Sequence, residues 1–122
     1  MSILRPYEKI IAWQAAHKLC LMVYRVTAKF PSDERFCLGK QLRKAAYSVP
    51  LNIAEGNAKR TNPEKARFFT ISLGSLEEVH CAIRLSSDLG YISIEKMTEL
   101  DQQINRASYL LTRLRSSMLE IN

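Results

Sequence analysis

The chain has 122 residues, of which 47% are hydrophobic and 25% charged, so we expect a soluble globular protein and neither a disordered nor a fibrous one. No run of about 18 apolar residues is present, which excludes a transmembrane helix, and the start lacks an apolar signal region, which favours the cytoplasm. Its 18 Lys and Arg against 12 Asp and Glu give a net charge of +6. Residues 1–61 hold 11 of the basic residues and 4 of the acidic ones, which favours a polyanionic partner.

The first predicted helix covers residues 8–29 and ends before Pro31. Its apolar residues recur at steps of three and four, namely Ala12, Ala16, Leu19, Val23, Val26 and Phe30. Trp13, Cys20 and Tyr24 widen this stripe, and an apolar arc of that width indicates contact with another subunit. The opposite face carries Gln14, Lys18, Arg25 and Lys29.

The second predicted helix covers residues 33–56, with Ser32 as its N-cap. Pro50 lies inside the pattern and removes a backbone N–H. Because the apolar spacing continues unchanged through Ile53, we expect a kink at Pro50 and not a break. Gly56 is expected to end the helix.

The third predicted helix covers residues 63–89. Asn62 is expected at its N-cap, Pro63 at its first position and Gly90 just beyond its end. Gly74-Ser75 lies in the middle of this helix, where small residues favour the close approach of another helix.

The fourth predicted helix covers residues 94–119 and follows Ser93 as N-cap. Its apolar seam repeats at steps of three and four through Met97, Leu100, Ile104, Ala107, Leu111, Leu114 and Met118. Four such helices with short connections predict an all-α fold, an antiparallel up-down-up-down four-helix bundle forming a single domain over residues 1–122.

Signs of catalytic or metal chemistry are weak. Glu77 and His80 form one Glu-x-x-His, which is half of a di-iron motif, but His17 is preceded by Gln14 and not by a carboxylate. The sequence has no glycine-rich phosphate loop and no glycine-flanked nucleophile. We therefore expect no catalytic residues, no metal, no cofactor and no enzymatic activity.

Three cysteines, Cys20, Cys37 and Cys81, stand in apolar-periodic segments. Their wide spacing suits neither a disulfide framework nor a zinc site. They are expected to be buried free thiols.

A basic region is the best candidate for function. Eight basic residues lie between Arg35 and Arg67, against the two carboxylates of Glu55 and Glu64. Those proposed to bind nucleic acid are Lys40, Arg43, Lys44, Lys59, Arg60, Lys65 and Arg67. The last four bracket the start of the third helix, whose free N–H groups also favour an anion. No aromatic residue is interleaved with them in residues 57–67, so contact with phosphates is expected and base stacking is not.

One stretch of the sequence is specific: Ser48-Val49-Pro50-x-Asn52-Ile53-Ala54-Glu55-Gly56, followed downstream by Gly74-Ser75-Leu76-x-Glu78. With Leu38-x-x-Gln41-Leu42-Arg43-x-Ala45 before it, this stretch forms what we call the specific motif. By this motif the sequence resembles the four-helix-bundle family of 23S rRNA intervening-sequence proteins, and the resemblance covers nearly the whole chain. The resemblance implies a protomer that assembles into a homopentamer. The sequence is also similar, more distantly, to the accessory variability determinants of diversity-generating retroelements, basic pentamers that bind nucleic acid and a reverse transcriptase.

The polar residues of this motif share one helix face by their spacing, namely Gln41, Ser48, Asn52 and Glu55. Buried polar groups need hydrogen-bond partners, so these residues are expected to bond neighbouring helices, groups freed at Pro50, or another subunit. Glu78 is expected to pair with Arg43 or Gln41.

Two hypotheses for function follow. The first is a non-enzymatic oligomer whose basic surface binds RNA or DNA. The second is a protein-interaction scaffold without a nucleic-acid role, in which apolar faces bind a protein partner and the charge keeps the assembly soluble.

Overall fold

Four helices form where the sequence carries apolar stripes, in a computed structural model that describes residues 3–120. They are α1, Ile11–Thr27; α2, Leu38–Asn57; α3, Asn62–Asp88; and α4, Ile94–Leu119. A short 3₁₀ helix, Pro6–Lys9, precedes α1. Residues 3–120 contain no strand, and the predicted all-α class is confirmed.

The helices form a square in chain order. Each packs against the next and α4 packs against α1, whereas the backbones of the two diagonal pairs do not approach each other closely within residues 3–120. Between α2 and α3, the hydroxyl oxygens of Ser48 and Ser75 lie 2.8 Å apart, and Ser72 Oγ donates a 2.9 Å hydrogen bond to the Val49 carbonyl. Residue numbers therefore rise along α2 as they fall along α3. The predicted antiparallel up-down-up-down bundle is confirmed.

The core is built from the predicted apolar stripes. Its largest fully buried side chains include Leu19, Val23, Leu42, Ile53, Phe69, Leu76, Ile83, Leu100 and Leu111. Burying each such side chain stabilises the fold by about 1.5–3 kcal/mol. Four polar side chains are also buried, and each donates to a backbone carbonyl: Thr27, Ser72, Ser86 and Gln103.

The boundaries of α3 and α4 follow local capping chemistry. Gly90 has a φ of +84° and its N–H donates to the Ser87 carbonyl, so its predicted place beyond the end of α3 is confirmed. Ser93 caps α4 as predicted, accepting a hydrogen bond from the Lys96 N–H. The prediction of Asn62 as the cap of α3 is wrong, because Thr61 holds that position and accepts from the Glu64 N–H.

The start of α2 is the main error in the predicted helices. Ser32 is not its N-cap, and residues 32–37 form turns, so that α2 begins at Leu38. The Glu34 carbonyl accepts from the N–H groups of both Cys37 and Gly39, at 3.1 and 2.8 Å. Phe30 is only 4% exposed, so its side chain is held in the core at the end of the bundle. Because this position is held, the residues after it turn and do not extend α2 toward Ser32.

The first helix is shorter than the predicted 8–29. Residues 6–9 form the 3₁₀ helix and Ile10 is extended, with a ψ of 121°, so α1 begins only at Ile11. Past Thr27 the chain turns, as the Lys29 and Phe30 N–H groups bond carbonyls three residues earlier. This turn carries Phe30 into the core.

The α2 helix continues through Pro50 and ends one residue after Gly56, so the prediction that Pro50 does not break the helix is confirmed, while the kink there stays a prediction. A side chain at Gly56 would lie 2.8 Å from Phe68 Cβ, which shows that the glycine permits close contact between α2 and α3. The close approach expected at Gly74-Ser75 is made by Ser75, whose hydroxyl meets that of Ser48 in α2. Gly74 takes no part in it within the protomer, because a Cβ there would meet nothing within 4 Å.

The cysteines are free thiols, but the prediction that all are buried is wrong. Cys37 and Cys81 are exposed, and Cys20 is half-buried. Cys37 lies in the turns before α2 and Cys81 on the outer face of α3, positions that one-dimensional periodicity does not distinguish from the core. Across residues 3–120, the helices are all too short or too polar to span a membrane.

Candidate nucleic-acid interface

Four of the seven residues predicted to bind nucleic acid lie around the connection between α2 and α3. Lys59 and Arg60 lie in the loop that follows α2, and Lys65 and Arg67 lie in the first two turns of α3. We call these four residues the loop cluster. Gly56 brings the end of α2 against the start of α3, so the two helix ends hold the four cations close together.

Two members of the loop cluster are held by a hydrogen bond or an ion pair. The Lys65 ammonium donates a 2.6 Å hydrogen bond to the Asn57 carbonyl, at the last residue of α2, where a cation also meets the negative end of the helix dipole. Arg67 Nε lies 3.0 Å from Glu64 Oε2, in an ion pair whose side chains are at least half exposed. Such an exposed pair contributes little stability, so Arg67 is free to exchange Glu64 for another anion.

Two cations of the cluster lie over one aromatic ring. The Lys59 ammonium is 4.8 Å and the Arg67 guanidinium 4.6 Å from the centre of the Phe68 ring. Cation–π attraction of this kind favours these positions for both charges. Phe68 is only 9% exposed, so its ring is covered by the cations and by the bundle and presents no face for a nucleic-acid base.

The backbone at the start of α3 has little capacity left for an anion. Thr61 Oγ1 accepts from the Glu64 N–H at 3.3 Å, and Pro63 has no N–H. In the first turn, Asn62 keeps an N–H that bonds no other described residue. At this end of α3, an anion therefore has the lysine and arginine side chains as its main binding groups, and the backbone N–H groups of the helix contribute less.

The other three residues predicted to bind nucleic acid lie toward the opposite end of the bundle. From Lys40 to the end of α2 at Asn57, the helix rises about 26 Å. Lys40 and Lys44 are exposed there, while the Arg43 guanidinium donates a 2.9 Å hydrogen bond to the Arg35 carbonyl and holds the turns before α2. The structure therefore divides the predicted basic region into two separate groups.

The specific motif contains one hydrogen-bonded pair. Asn52 Nδ2 donates to the Ser48 carbonyl at 2.8 Å and to Ser48 Oγ at 3.1 Å, and Ser48 Oγ also meets Ser75 across the α2–α3 contact. Gln41 and Glu55 are exposed, and their side chains bond no other described residue. The motif therefore divides into a packed part at the α2–α3 contact and an outward part that the protomer itself does not use.

The expected pairing of Glu78 is wrong. Glu78 is exposed and forms no ion pair with Arg43 or hydrogen bond with Gln41. Arg43 is directed instead toward the turns before α2, where it bonds Arg35. The Arg43 guanidinium is therefore bound by a backbone carbonyl of that segment and not by the Glu78 carboxylate.

The histidines lie on helices that are diagonal in the bundle. His17 of α1 stacks on Trp13 with ring centres 4.7 Å apart, and His80 Nε2 of α3 lies 3.3 Å from Asp101 Oδ1 of α4. In the part of the chain that the structure describes, no three His, Cys, Asp or Glu residues are placed to hold a metal ion.

A second basic surface was not among the predicted sites. It is a groove between α1 and α4 whose rim carries five cationic side chains, Lys18, Arg25, Lys29, Lys96 and Arg106. The periodicity of α1 places three of these on one face, but nothing in the sequence indicates that α4 adds the other two. We call this surface the α1–α4 groove.

Comparison with known proteins gives a family and a fold. A family model described as 23S rRNA-intervening sequence protein matches residues 8–113. A solved structure from Bacteroides thetaiotaomicron VPI-5482, described as a protein with unknown function from the S23 ribosomal protein family, is similar with a TM-score of 0.79. It is 15% identical and the match covers 85% of this chain and 97% of that chain, a likeness that concerns the fold. No curated protein matches the chain.

Proposed function

Since the chain belongs to the 23S rRNA-intervening sequence protein family, we propose that it is a cytoplasmic, non-enzymatic, oligomeric bundle that binds RNA or DNA. The binding surface in this proposal is the loop cluster at the end of α2 and the start of α3. The observation that carries the proposal is the gathering of four cations around one connection, two of them held over the same ring.

The chemistry of the loop cluster suits phosphates. Lysine and arginine neutralise phosphate charge and release counterions, so the affinity falls as salt rises. The ring of Phe68 is covered, and the loop offers no other aromatic face, so the bases are not read by stacking. The proposed binding is therefore sensitive to salt and only weakly selective for sequence.

Self-association is the second part of the proposal, and we propose a homopentamer. Large apolar side chains are exposed on each of the four helices, and those of the first two are Ile11, Leu21 and Tyr24 on α1, and Tyr47 and Leu51 on α2. Leu51 is 60% exposed within the specific motif of α2, beside the outward-facing Glu55. Exposed apolar side chains of this number on a small protein support an interface between copies.

Fluorescence anisotropy with labelled single-stranded RNA and duplex DNA, at low and moderate salt, tests the nucleic-acid proposal. The double substitution of Lys59→Glu with Arg60→Glu reverses two charges of the loop cluster, one half-buried and one exposed, and is expected to weaken binding about a hundredfold. The matched control, Lys40→Glu with Lys44→Glu, makes the same charge change at the other end of the bundle and is expected to cost much less. Absence of binding at low salt, or equal losses in both double variants, would reject the loop cluster as the site.

Light scattering tests the assembly. We expect a particle several times the protomer mass of 14.0 kDa, and Leu51→Lys is expected to reduce its size. A monomer in solution would contradict this part of the proposal without affecting the nucleic-acid part.

The exposed apolar residues also favour the alternative function, a protein-interaction scaffold. A pull-down followed by nuclease treatment distinguishes the two functions. A protein retained after nuclease supports the scaffold, whereas a partner released by nuclease supports binding through nucleic acid.

A further inference from the structure

The α1–α4 groove combines a basic rim with an apolar floor. Met22 and Val26 of α1 and Leu100 of α4 lie at its base, and Ile92 closes it near the start of α4. The part of the groove that is lined by Arg25, Lys29 and Lys96 has a volume of about 500 Å³. From Lys18 to the end of α1 at Thr27 the rim runs about 14 Å, which is two and a half helical turns, and Lys29 in the turn beyond extends it.

The charges on the rim are nearly all of one sign. Among residues 3–120, Glu99 is the single acidic residue that lines the groove, and its carboxylate is 3.2 Å from the Lys96 ammonium. Lys18, Arg25, Lys29 and Arg106 form no ion pair with another described residue. Four exposed cations without carboxylate partners along one groove create a positive potential above an apolar surface.

We propose that the α1–α4 groove binds an amphipathic α-helix of a partner protein, with apolar residues facing the floor and Asp or Glu along both edges. Helices that dock into apolar grooves present side chains at steps of three and four, which suits a floor formed by Met22 and Val26 of α1 and Leu100 of α4. Acidic residues on both edges of such a helix face the α1 cations on one side and the α4 cations on the other. The charge of the rim thus selects an acidic partner helix and excludes a basic one.

The groove suits a nucleic acid less well. Phosphates gain nothing from the apolar floor, and a single strand needs aromatic faces on which its bases stack. Tyr91 is the aromatic residue of the groove, but its ring packs on Phe30 at 5.6 Å and its hydroxyl bonds Glu34 at 3.2 Å. An acidic helix uses the floor and the rim together. The inference does not depend on nucleic-acid binding by the loop cluster.

The methionines provide a direct test with the full-length protein. Its methyl groups are labelled with ¹³C and their NMR signals followed on addition of a peptide of about 14 residues, designed as a helix with a leucine stripe flanked by glutamates. Met22 lies at the floor of the groove, whereas Met118 lies near the far end of α4 and serves as an internal control. We expect the Met22 signal to shift and the Met118 signal to stay in place. Two further peptides are compared, one with glutamine in place of glutamate and one with the leucines scattered.

The protein variants test the rim. Arg25→Glu and Lys96→Glu change exposed residues and are each expected to weaken the acidic peptide about tenfold or more, since like charges then face each other. Lys9→Glu makes the same charge change outside the groove and is expected to bind like the wild type. Circular dichroism of each variant verifies that the bundle is intact.

Several results would overturn the proposal. These are no shift of Met22 with the acidic peptide, equal binding of the scattered-leucine peptide, and equal losses in Arg25→Glu and Lys9→Glu. Two further results would assign the groove to another occupant. A Met22 shift with single-stranded RNA that Arg25→Glu abolishes would identify nucleic acid. A smaller particle in light scattering for Arg25→Glu, with no peptide binding by the wild type, would identify a second copy of the chain.

Discussion

The side-chain amide of Gln103 in α4 donates a 2.9 Å hydrogen bond to the backbone carbonyl of Ala15 in α1. Gln103 is 8% exposed, so the bond is closed off from solvent and joins two helices whose residues stand 88 positions apart. It fixes how α4 lies along α1 and therefore which cations face each other across the α1–α4 groove.

Gln103→Ala is expected to lower the free energy of unfolding by about 1–3 kcal/mol, because it removes the buried hydrogen bond and leaves a cavity. Gln103→Met keeps most of the volume and is expected to cost less, about 1 kcal/mol. Urea unfolding of both variants measures the difference. A loss below about 0.5 kcal/mol for the alanine variant would show that the bond does not stabilise the α1–α4 contact.

Two glycines are expected to respond oppositely to alanine. Gly56→Ala places a Cβ 2.8 Å from Phe68 Cβ and 3.0 Å from Phe69 Cε1, so we expect a destabilisation of about 1–3 kcal/mol. Gly74→Ala meets nothing within 4 Å in the middle of α3 and is expected to stabilise by about 0.5–1 kcal/mol. Thermal unfolding of the pair provides the measurement, each variant serving as control for the other. If Gly74→Ala instead destabilises the protein, another chain approaches that face of α3.

The three thiols are expected to react with a disulfide reagent in two phases. Cys37 and Cys81 are exposed and react first. Cys20 is half-buried, and burial raises the pKa of its thiol, so less of the reactive thiolate is present and its reaction is slower. Absorbance of the released thiolate under native conditions should show two equivalents, then one. Cys20→Ala should remove only the slow phase; three equal rates would contradict the assignment.

Tyr91 is expected to ionise at a higher pH than an ordinary tyrosine. Burial raises the pKa of Tyr91, and the hydrogen bond to Glu34 and the charges of Glu34 and Asp33 raise it further. Above the ordinary tyrosine pKa of about 10, the unfolded chain loses this proton while the folded protein retains it, so stability falls as pH rises there. Titration of tyrosinate absorbance measures the pKa, which Glu34→Gln should lower.

The control for this prediction is Tyr91→Phe. It removes the titrating group, so the part of the alkaline stability loss that Tyr91 causes should disappear. A Tyr91 pKa that Glu34→Gln leaves unchanged would show that the 3.2 Å contact does not act on the hydroxyl.

Features that depend on near neighbours in the chain were predictable. Gly90 and Ser93 act through bonds to residues three or four positions away, so their residue types alone indicated the end of α3 and the start of α4. The continuity of α2 through Pro50 was also readable, since the apolar spacing on both sides of the proline keeps one phase. The start of α2 could not be predicted in this way. Other helices hold Phe30 in the core, and the residues after it therefore form turns, although local signals there favour a helix.

The basic residues illustrate the same division. Their positions in the chain suggested one region from Lys40 to Arg67, but a rigid helix rises about 1.5 Å per residue and carries Lys40 away from the loop cluster. Periodicity could place Lys18, Arg25 and Lys29 on one face of α1, yet not name the helix beside that face.

The sequence by itself determined the four helices, their apolar stripes and most of their ends, because each depends on contacts within a few turns of one helix. Only the tertiary structure decided that α4 lies beside α1, that Gln103 meets Ala15, and that the cations of these two helices border one groove. The physical reason is that any two amphipathic helices can bury their stripes against each other. The choice of neighbours and their register depends on packing shape and on single hydrogen bonds between residues far apart in the chain.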